Sequence, residues 1–445
     1  MAGLPDGPRA PLAWQTARWV RDPLALLESA ERAHGDVFTL KIAPFSSVVV
    51  VSRPEHVRAV FAQSPDDVFG GPANAIVRKL FGEHSLLLLD GKEHTRQRKL
   101  LMPPFHGERM VRYGETMLDE AARVVDAMPD AGPFSLLPPL LELTLEVILR
   151  TVFGVQAERL RRLRALFSKL LDLLLFPPLL VPALQRDLGA WSPWGRYVRA
   201  RATVDAELLS EIRSRREAGS ASDGSVLGLL VAARDEAGEP MSDDEIKDEL
   251  FTLLAAGHET TAAALTWAAR WIADAPAVAA RLYDELDEGE LSAERVARLP
   301  YLEAVIKESL RLEPLLPLVG RELQRPMELF GWSLPRGTVV APCVHLAHRR
   351  AATFAEPNRF SPERFLETKP GPAEFFPFGG GARRCIGAAF AMFEMKMVLA
   401  TLLSQRRLAL ASSRPPRAVR RGITMTPEAG LVVTAAPRRG ARTAQ

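Results

Sequence analysis

Phe378-Gly379-Gly380-Gly381-Ala382-Arg383-Arg384-Cys385-Ile386-Gly387 is the stretch on which the reading of this chain turns. A glycine run behind an aromatic leads to one cysteine, and an apolar helix is predicted directly after it, from Ala388 to Ser404. Glycines allow positive φ and let a backbone approach a flat group closely. Cys385 stands at the entrance of the predicted helix, where backbone N–H groups and the helix dipole favour a thiolate. A lone thiolate held this way suits the proximal side of haem iron, where it pushes electron density onto the metal and favours O–O cleavage. The bland alternative is a small buried hydrophobe, the usual fate of a free cysteine. That role fits Cys343, which lies in an apolar strand-like run without glycines. Gly379-x-Gly381 is no dinucleotide fingerprint, because a third glycine and a preceding strand are missing. No C-x-x-C-H occurs, so covalent attachment of haem is excluded.

Further out, Ala256-Gly257-His258-Glu259-Thr260-Thr261 interrupts an otherwise apolar helix predicted from about Ser242 to Ala273. A glycine, an acid and two hydroxyls there run against helix preference. Gly257 and Thr260/Thr261 are three and four residues apart and share a face. The reading is that a small residue leaves room for dioxygen while a hydroxyl beside an acid relays protons. The plainer reading is a threonine bonding back to the preceding turn. His258 is read as a neighbour, not a metal ligand, because its side chain points off that face. Glu308-Ser309-Leu310-Arg311 is an i,i+3 charge pair, usually a solvated contact of small worth. His94 and Arg98 are i,i+4 neighbours, and arginine suits bidentate carboxylate recognition.

Taken together, these runs resemble the cytochromes P450. The loop fits F-x-x-G-x-R-x-C-x-G at each fixed position, and Ala256 to Thr261 fits A-G-x-[D/E]-T-T. The resemblance implies haem b with Cys385 as axial ligand, and Phe378, Gly381 and Gly387 as parts of the haem-binding loop. It implies that His94, Arg98, Arg321 and Arg383 face the two haem propionates, and that Ala256, Gly257, Glu259 and Thr260 activate oxygen. It also implies that Glu308 and Arg311 pair with Arg364 of Pro362-Glu363-Arg364-Phe365 in a structural triad behind the cysteine. Arg383 stands where many members carry histidine. The stretch Gly91 to Phe105, with Leu100 to Met110, is similar to soluble bacterial members related to fatty-acid and terpene oxidisers.

Composition agrees. Apolar residues make up 47% and charged residues 25% of 445, the balance of a globular enzyme with a large core. A net charge of +3 does not argue for nucleic acid, and no basic run is interleaved with aromatics. Two cysteines exclude a disulfide framework and suit a reducing cytoplasm. The first residues carry no signal peptide or anchor pattern. Leu163 to Leu184 is apolar but broken by Arg164, Lys169, Asp172 and prolines, so it reads as a buried or ligand-facing helix pair.

The expected fold is mainly α with small β-sheets, one domain over 1–445, with haem between the long oxygen-activating helix and the cysteine-bearing helix. The ends, about 1–20 and 438–445, are expected to be flexible. A helix is predicted over Asp22 to His34 and another opening at Pro54, with strands at Val37–Ile42, Ser47–Val51, Met327–Phe330, Thr338–Ala341, Leu408–Ala411 and Leu431–Thr434. Loops are read at Gly219 to Gly224 and Ala237 to Pro240, and a non-helical meander over Phe354 to Phe378.

The implied activity is a cytoplasmic monooxygenase that inserts one atom of O2 into a lipophile, by hydroxylation of a fatty acid, terpenoid or similar molecule. A polyketide, macrolide or steroid substrate is the alternative, and a non-catalytic thiolate-haem sensor or electron carrier is the rival from another class. The pocket is expected from Phe69–Leu89, Phe167–Leu180, Leu253, Ala256, Pro317–Val319 and Ile423–Met425. With no flavin or nicotinamide fingerprint and too few cysteines for an iron–sulfur cluster, electrons are expected from a ferredoxin or flavodoxin with its reductase. Arg384 and Lys396 are expected on its docking face, and the chain is expected to be a monomer.

Overall fold

The computed structural model describes residues 3–438 except 106, 108, 155, 156, 177, 178, 180, 182, 183 and 220–223. The helix Asp243–Asp274 is the axis of the molecule, 32 residues and thus roughly 48 Å long. Its start is a capping box: the Ser242 hydroxyl accepts from Glu245 N while the Glu245 carboxylate accepts from Ser242 N. Helices Leu137–Phe153, Pro193–Glu217, Pro300–Leu312 and Ala388–Gln405 pack around it. Its middle is small, Ala262, Ala263, Ala264, Ala268 and Ala269 all being buried, which lets these neighbours come close.

The strands are β1 Val37–Leu40, β2 Val48–Val51, β3 Val68–Phe69, β4 Phe134–Ser135, β5 Arg321–Leu323, β6 Met327–Leu329, β7 Trp332–Leu334, β8 Val339–Pro342, β9 Arg406–Leu410, β10 Ala418–Arg421, β11 Thr424–Pro427 and β12 Val432–Pro437. They form a sheet ordered β1-β2-β8-β5-β3, a sheet β4-β12-β9, and the pairs β6-β7 and β10-β11. β2 runs parallel to β8, with Val49 beside Val340. All four of its residues are buried, so it reads as a continuous apolar run.

The predicted helices and their caps hold. Asp22 caps Pro23–His34, with its side chain accepting from Ala25 N, and Gly35 ends that helix at φ 82°. The predicted Ser242–Ala273 and Ala388–Ser404 appear as Asp243–Asp274 and Ala388–Gln405. The meander carries one helical turn, Arg364–Glu367, where none was expected.

A helix not read from the sequence lies near the N-terminal end. Leu12–Arg21 is a helix, and the amide of its buried Gln15 donates to the carbonyls of Pro8 and Ala10 while its carbonyl accepts from Lys41 N at 3.0 Å. Those bonds tie residues 8–15 to the chain after β1, and residues 1 and 2 of the end expected to be flexible lie outside the described residues. Residues 439–445 of the other expected flexible end, and 220–223 of the Gly219–Gly224 loop, lie outside the described residues.

One helix among the described residues, Ala388–Gln405, is long and apolar enough to cross a membrane, yet it is packed in the core. The hairpin β10–β11 was not read from the sequence. Its loop is the two residues Gly422-Ile423, with Gly422 at φ 56°, the conformation that short hairpin loops require.

Candidate active site

The cysteine loop is built by close approach. Gly379 and Gly381 both take φ 66°. A Cβ on Gly381 would lie 2.5 Å from the Phe61 carbonyl oxygen, and one on Gly380 2.3 Å from the Phe61 ring. Only glycine folds the loop this tightly against that residue. Phe378 closes it, its carbonyl accepting from Cys385 N at 2.9 Å, and Gly387 caps the helix that follows. Cys385 carries accessible surface, yet it is deep enough that desolvation raises its thiol pKa. The Gly387 N–H, Arg98 and Arg384 pull the pKa back down and favour the thiolate.

Around this loop the expected cations converge. Arg321 is buried, donates to the carbonyls of Gly320 at 2.8 Å and Gly380 at 3.2 Å, and is lowered to about 10 by burial and by Arg383. His94 is lowered to about 3 by burial, Arg383, Arg98 and Arg321, so it is neutral. Arg98 has no carboxylate or hydrogen-bond partner among the described residues, although burial lowers its pKa.

Arg383 is already engaged by protein, donating to the carbonyls of Leu86 and Leu89 and to Asp90. Asp90, which the sequence reading missed, also accepts from Gly70 N at 2.8 Å and Gly71 N at 3.1 Å. With Asp90 offsetting one of three arginine charges, two remain, the number that two propionates neutralise. The donors present, an accessible thiol and two arginines in excess, fit a haem.

Along the long helix, Ala256 is exposed and Thr260 half-buried, although the neighbouring turns are buried. The Thr260 hydroxyl donates to Ala256 O at 2.6 Å, so it bonds back to the preceding turn while its lone pairs stay free. Gly257 does not share that opening: a Cβ there would sit in ordinary contact, 3.6 Å from Ile148. The room assigned to Gly257 therefore belongs to Ala256. Thr261 is buried and donates to Gly257 O at 2.8 Å.

Glu259 turns towards the β10–β11 hairpin. Its Oε1 lies 3.5 Å from Arg421 Nε and 3.4 Å from the Thr424 hydroxyl. Burial pushes its carboxyl up to about 7, against the opposing pull of Arg421 and Thr424. Folding thus retains a proton that the unfolded chain loses above its ordinary value of 4.5, and stability falls as pH rises from about 4.5 to about 7. Glu249 and Glu313, also raised by burial, act in the same sense. Glu259→Gln is therefore expected to flatten, not abolish, the decline in unfolding free energy measured by denaturant titration across that range. A slope identical to the parent's would remove this role.

The triad assembles as expected, with Glu308 and Arg311 fully buried and Arg364 half-buried. Arg311 Nε and Nη2 donate to the two Glu308 oxygens at 2.7 and 2.9 Å, and Arg364 Nε donates to Glu308 Oε1 at 3.1 Å. Lys396 departs from expectation. It is buried and bonded to Ala297 O and Glu303, so only Arg384 of the expected docking pair is exposed.

A cavity of about 2730 Å³ opens beside His258 and Arg421, and neither Cys385 nor Ala256 lines it. His258 is buried, lowered to about 4, and held off the Ala256 face as expected. Leu171, Leu173, Phe176 and Ile423 come from the expected walls, but Leu253 and Pro317–Val319 do not line it. Leu137, Leu141 and Leu145, together with Trp19 of the N-terminal helix, take their place.

A family model described as cytochrome P450 matches residues 5–434. The chain is 37% identical over 432 residues to the putative cytochrome P450 135B1 of Mycobacterium tuberculosis, spanning 96% of this chain and 90% of that one. It is 34% identical to the putative cytochrome P450 135A1 of the same species, spanning 98% and 96%. A retinoic acid bound cyanobacterial CYP120A1 structure superposes with a TM-score of 0.85 at 27% identity, covering 98% of this chain and all of that one. A cytochrome P450DA haem domain superposes equally well, with a TM-score of 0.85, at 23% identity, a likeness of fold alone.

Proposed function

The chain belongs to the cytochrome P450 family, the haem-thiolate monooxygenases, and on that premise we propose that it oxidises an apolar acid or terpenoid with electrons from a separate ferredoxin or flavodoxin. Haem bound at Cys385 supplies the activation of O2. Cys385 offers the thiolate, favoured by the Gly387 N–H and by Arg98. His94, Arg98 and Arg321 hold the propionates, with Arg383 fixing Leu86 to Asp90 beside them. Ala256 leaves space beside the Thr260 hydroxyl, whose lone pairs accept a hydrogen bond there. Glu259, near half-ionised at neutral pH, exchanges protons between Arg421's side of the helix and the interior. Phe378 and Gly381 shape the loop, and Glu308, Arg311 and Arg364 anchor the meander behind it.

The observation that carries the substrate class is the apolar share of the cavity wall, to which Trp19, Leu137, Leu141, Leu145, Leu171 and Phe176 contribute. The retinoic acid bound to the cyanobacterial relative is such a molecule. A panel of fatty acids, terpenoids, steroids and macrolides, titrated against the haem-loaded protein and read as a spectral shift, tests it. Shifts and oxygenated products with the first two classes, given a ferredoxin pair, are expected. Shifts confined to macrolides or steroids would overturn the substrate class, and binding without product under any donor would favour a sensor.

A further inference from the structure

Asp90 stands at the cap position of Gly91–Leu101, the helix that carries His94 and Arg98. An aspartate there ordinarily accepts from the N–H groups of the first turn. Here the side chain makes no cap bond. Its carboxylate turns away from the helix and accepts from Gly70 N at 2.8 Å, from Gly71 N at 3.1 Å and from Arg383 of the cysteine loop.

The fit around this pair is close. A Cβ on Gly71 would lie 2.4 Å from Asp90 Oδ2, and one on Gly70 would lie 3.0 Å from the Arg383 guanidinium carbon. The two glycines therefore admit a carboxylate and a guanidinium where a side chain would exclude them. Arg383 also donates to the carbonyls of Leu86 and Leu89, so the pair stitches residues 70–71 and 86–90 to the loop that leads into Cys385. Neither side chain is more than 15% exposed. At that depth the loss of one partner strands the charge of the other.

The remaining cations have no such partner. Arg321 donates to carbonyls, and no carboxylate pairs with it or with Arg98 among the described residues. After burial, the charge of Arg383 is what lowers His94 and Arg321 most, and Asp90 raises Arg321 back. Both charges of the pair are therefore felt among the groups expected to face the propionates.

We infer that Asp90 is a positioning residue that holds Arg383 in an internal ion pair, away from the propionates, and thereby sets the net charge at the haem edge. This rests on the haem-thiolate reading above and adds to it a residue that acts through Arg383. The family resemblance by itself assigns Arg383 to a propionate, whereas here the chain supplies that arginine with a carboxylate of its own. Reduction removes one positive charge from the iron centre, so an uncompensated cation nearby favours it and an uncompensated anion opposes it.

The test takes Asp90→Asn, Arg383→Gln and the two combined, each loaded with haem. The midpoint potential is read by spectroelectrochemical titration, and the transfer of haem to excess apomyoglobin is timed. Asparagine keeps an oxygen for Gly70 N and Gly71 N but leaves Arg383 uncompensated, so the potential is expected to rise. Arg383→Gln leaves Asp90 uncompensated, and the potential should fall. The combined variant exchanges a neutral pair for two amides, and its potential should return close to that of the parent. Its haem should leave within about twofold of the parent rate, whereas Arg321→Gln, which removes a cation that no acid pairs with, should release haem at least about tenfold faster. Haem lost from the combined variant as fast as from Arg321→Gln would make Arg383 a propionate ligand and overturn the inference. An unchanged or lowered potential in Asp90→Asn would overturn it too, and that sign decides even if the combined variant does not fold. A parent protein that takes up no haem would remove the haem-thiolate reading together with this one.

Discussion

Cys385→Ser is expected to abolish oxygenation while leaving the fold in place. The substitution keeps the loop's geometry, because the bond that closes it runs from the backbone N of residue 385 to Phe378 O at 2.9 Å. What it removes is the ionisable sulfur. The influences that favour an anion at this site, the Gly387 N–H and the charges of Arg98 and Arg384, oppose the burial that raises the thiol, and a thiol is a far stronger acid than an alcohol. They do not ionise a serine hydroxyl. The loss exceeds the roughly 10–100-fold that removal of an outer partner costs a metal site. The measurement is the absorption of the reduced, CO-bound protein: the parent shows the strongly red-shifted band of a thiolate, and Cys385→Ser loses it. Cys343→Ala is the control. Cys343 is fully buried and burial drives its thiol pKa far up, so that variant keeps the band. A red-shifted band surviving in Cys385→Ser would place the ligand elsewhere.

The cysteine loop, the caps of the long helices and the Glu308 triad were legible because they are local chemistry. Glycines forced to φ 66°, an Asp or Ser before a helical run, and an acid three residues before an arginine each announce themselves over a few positions. The rotation of a helix is not local. Gly257 and Ala256 differ by about 100° around the axis, and only packing against Ile148 decides which of them is exposed. Lys396 misled for the same reason: in an apolar helix a lone lysine reads as an edge, whereas Glu303 from another helix holds it inside. The cavity wall was half-read, since apolar periodicity points at leucines but not at which helix they meet. The N-terminal helix was assigned to a flexible end, so its Trp19 was out of reach. One signal was overlooked. Val419-Arg420-Arg421-Gly422-Ile423-Thr424 alternates about a glycine, the pattern of a two-residue hairpin, and it would have placed both arginines on one strand.

Arg311→Lys is expected to lower the unfolding free energy by about 3 kcal/mol or more, the cost of breaking a buried pair. Arg311 is fully buried, and each of its five N–H donors is used: two on Glu308, at 2.7 and 2.9 Å, and one each on His348 O at 2.7 Å, Pro357 O at 2.7 Å and Arg359 O at 3.2 Å. A lysine brings three donors to one point and cannot span a carboxylate on one helix and three carbonyls of the meander. Some of those carbonyls are then buried without a partner, at about 1–3 kcal/mol each. Glu308 keeps Arg364 at 3.1 Å and the Ser361 N–H at 2.8 Å, which limits the loss without restoring the carbonyl bonds. Against the roughly 5–15 kcal/mol by which a domain is stable, this is a large share, and it falls on the segment that leads into Cys385. The exposed pair Arg32–Glu28, 3.8 Å apart, has no such dependants, so Arg32→Lys should change stability little. Guanidinium titration of both variants, followed by far-ultraviolet dichroism and by the haem band, decides the matter. If the haem band of Arg311→Lys is lost at lower denaturant than the dichroism, the meander has come loose from an otherwise folded core, the outcome its position predicts. A midpoint for Arg311→Lys equal to that of Arg32→Lys would show that the buried network is dispensable.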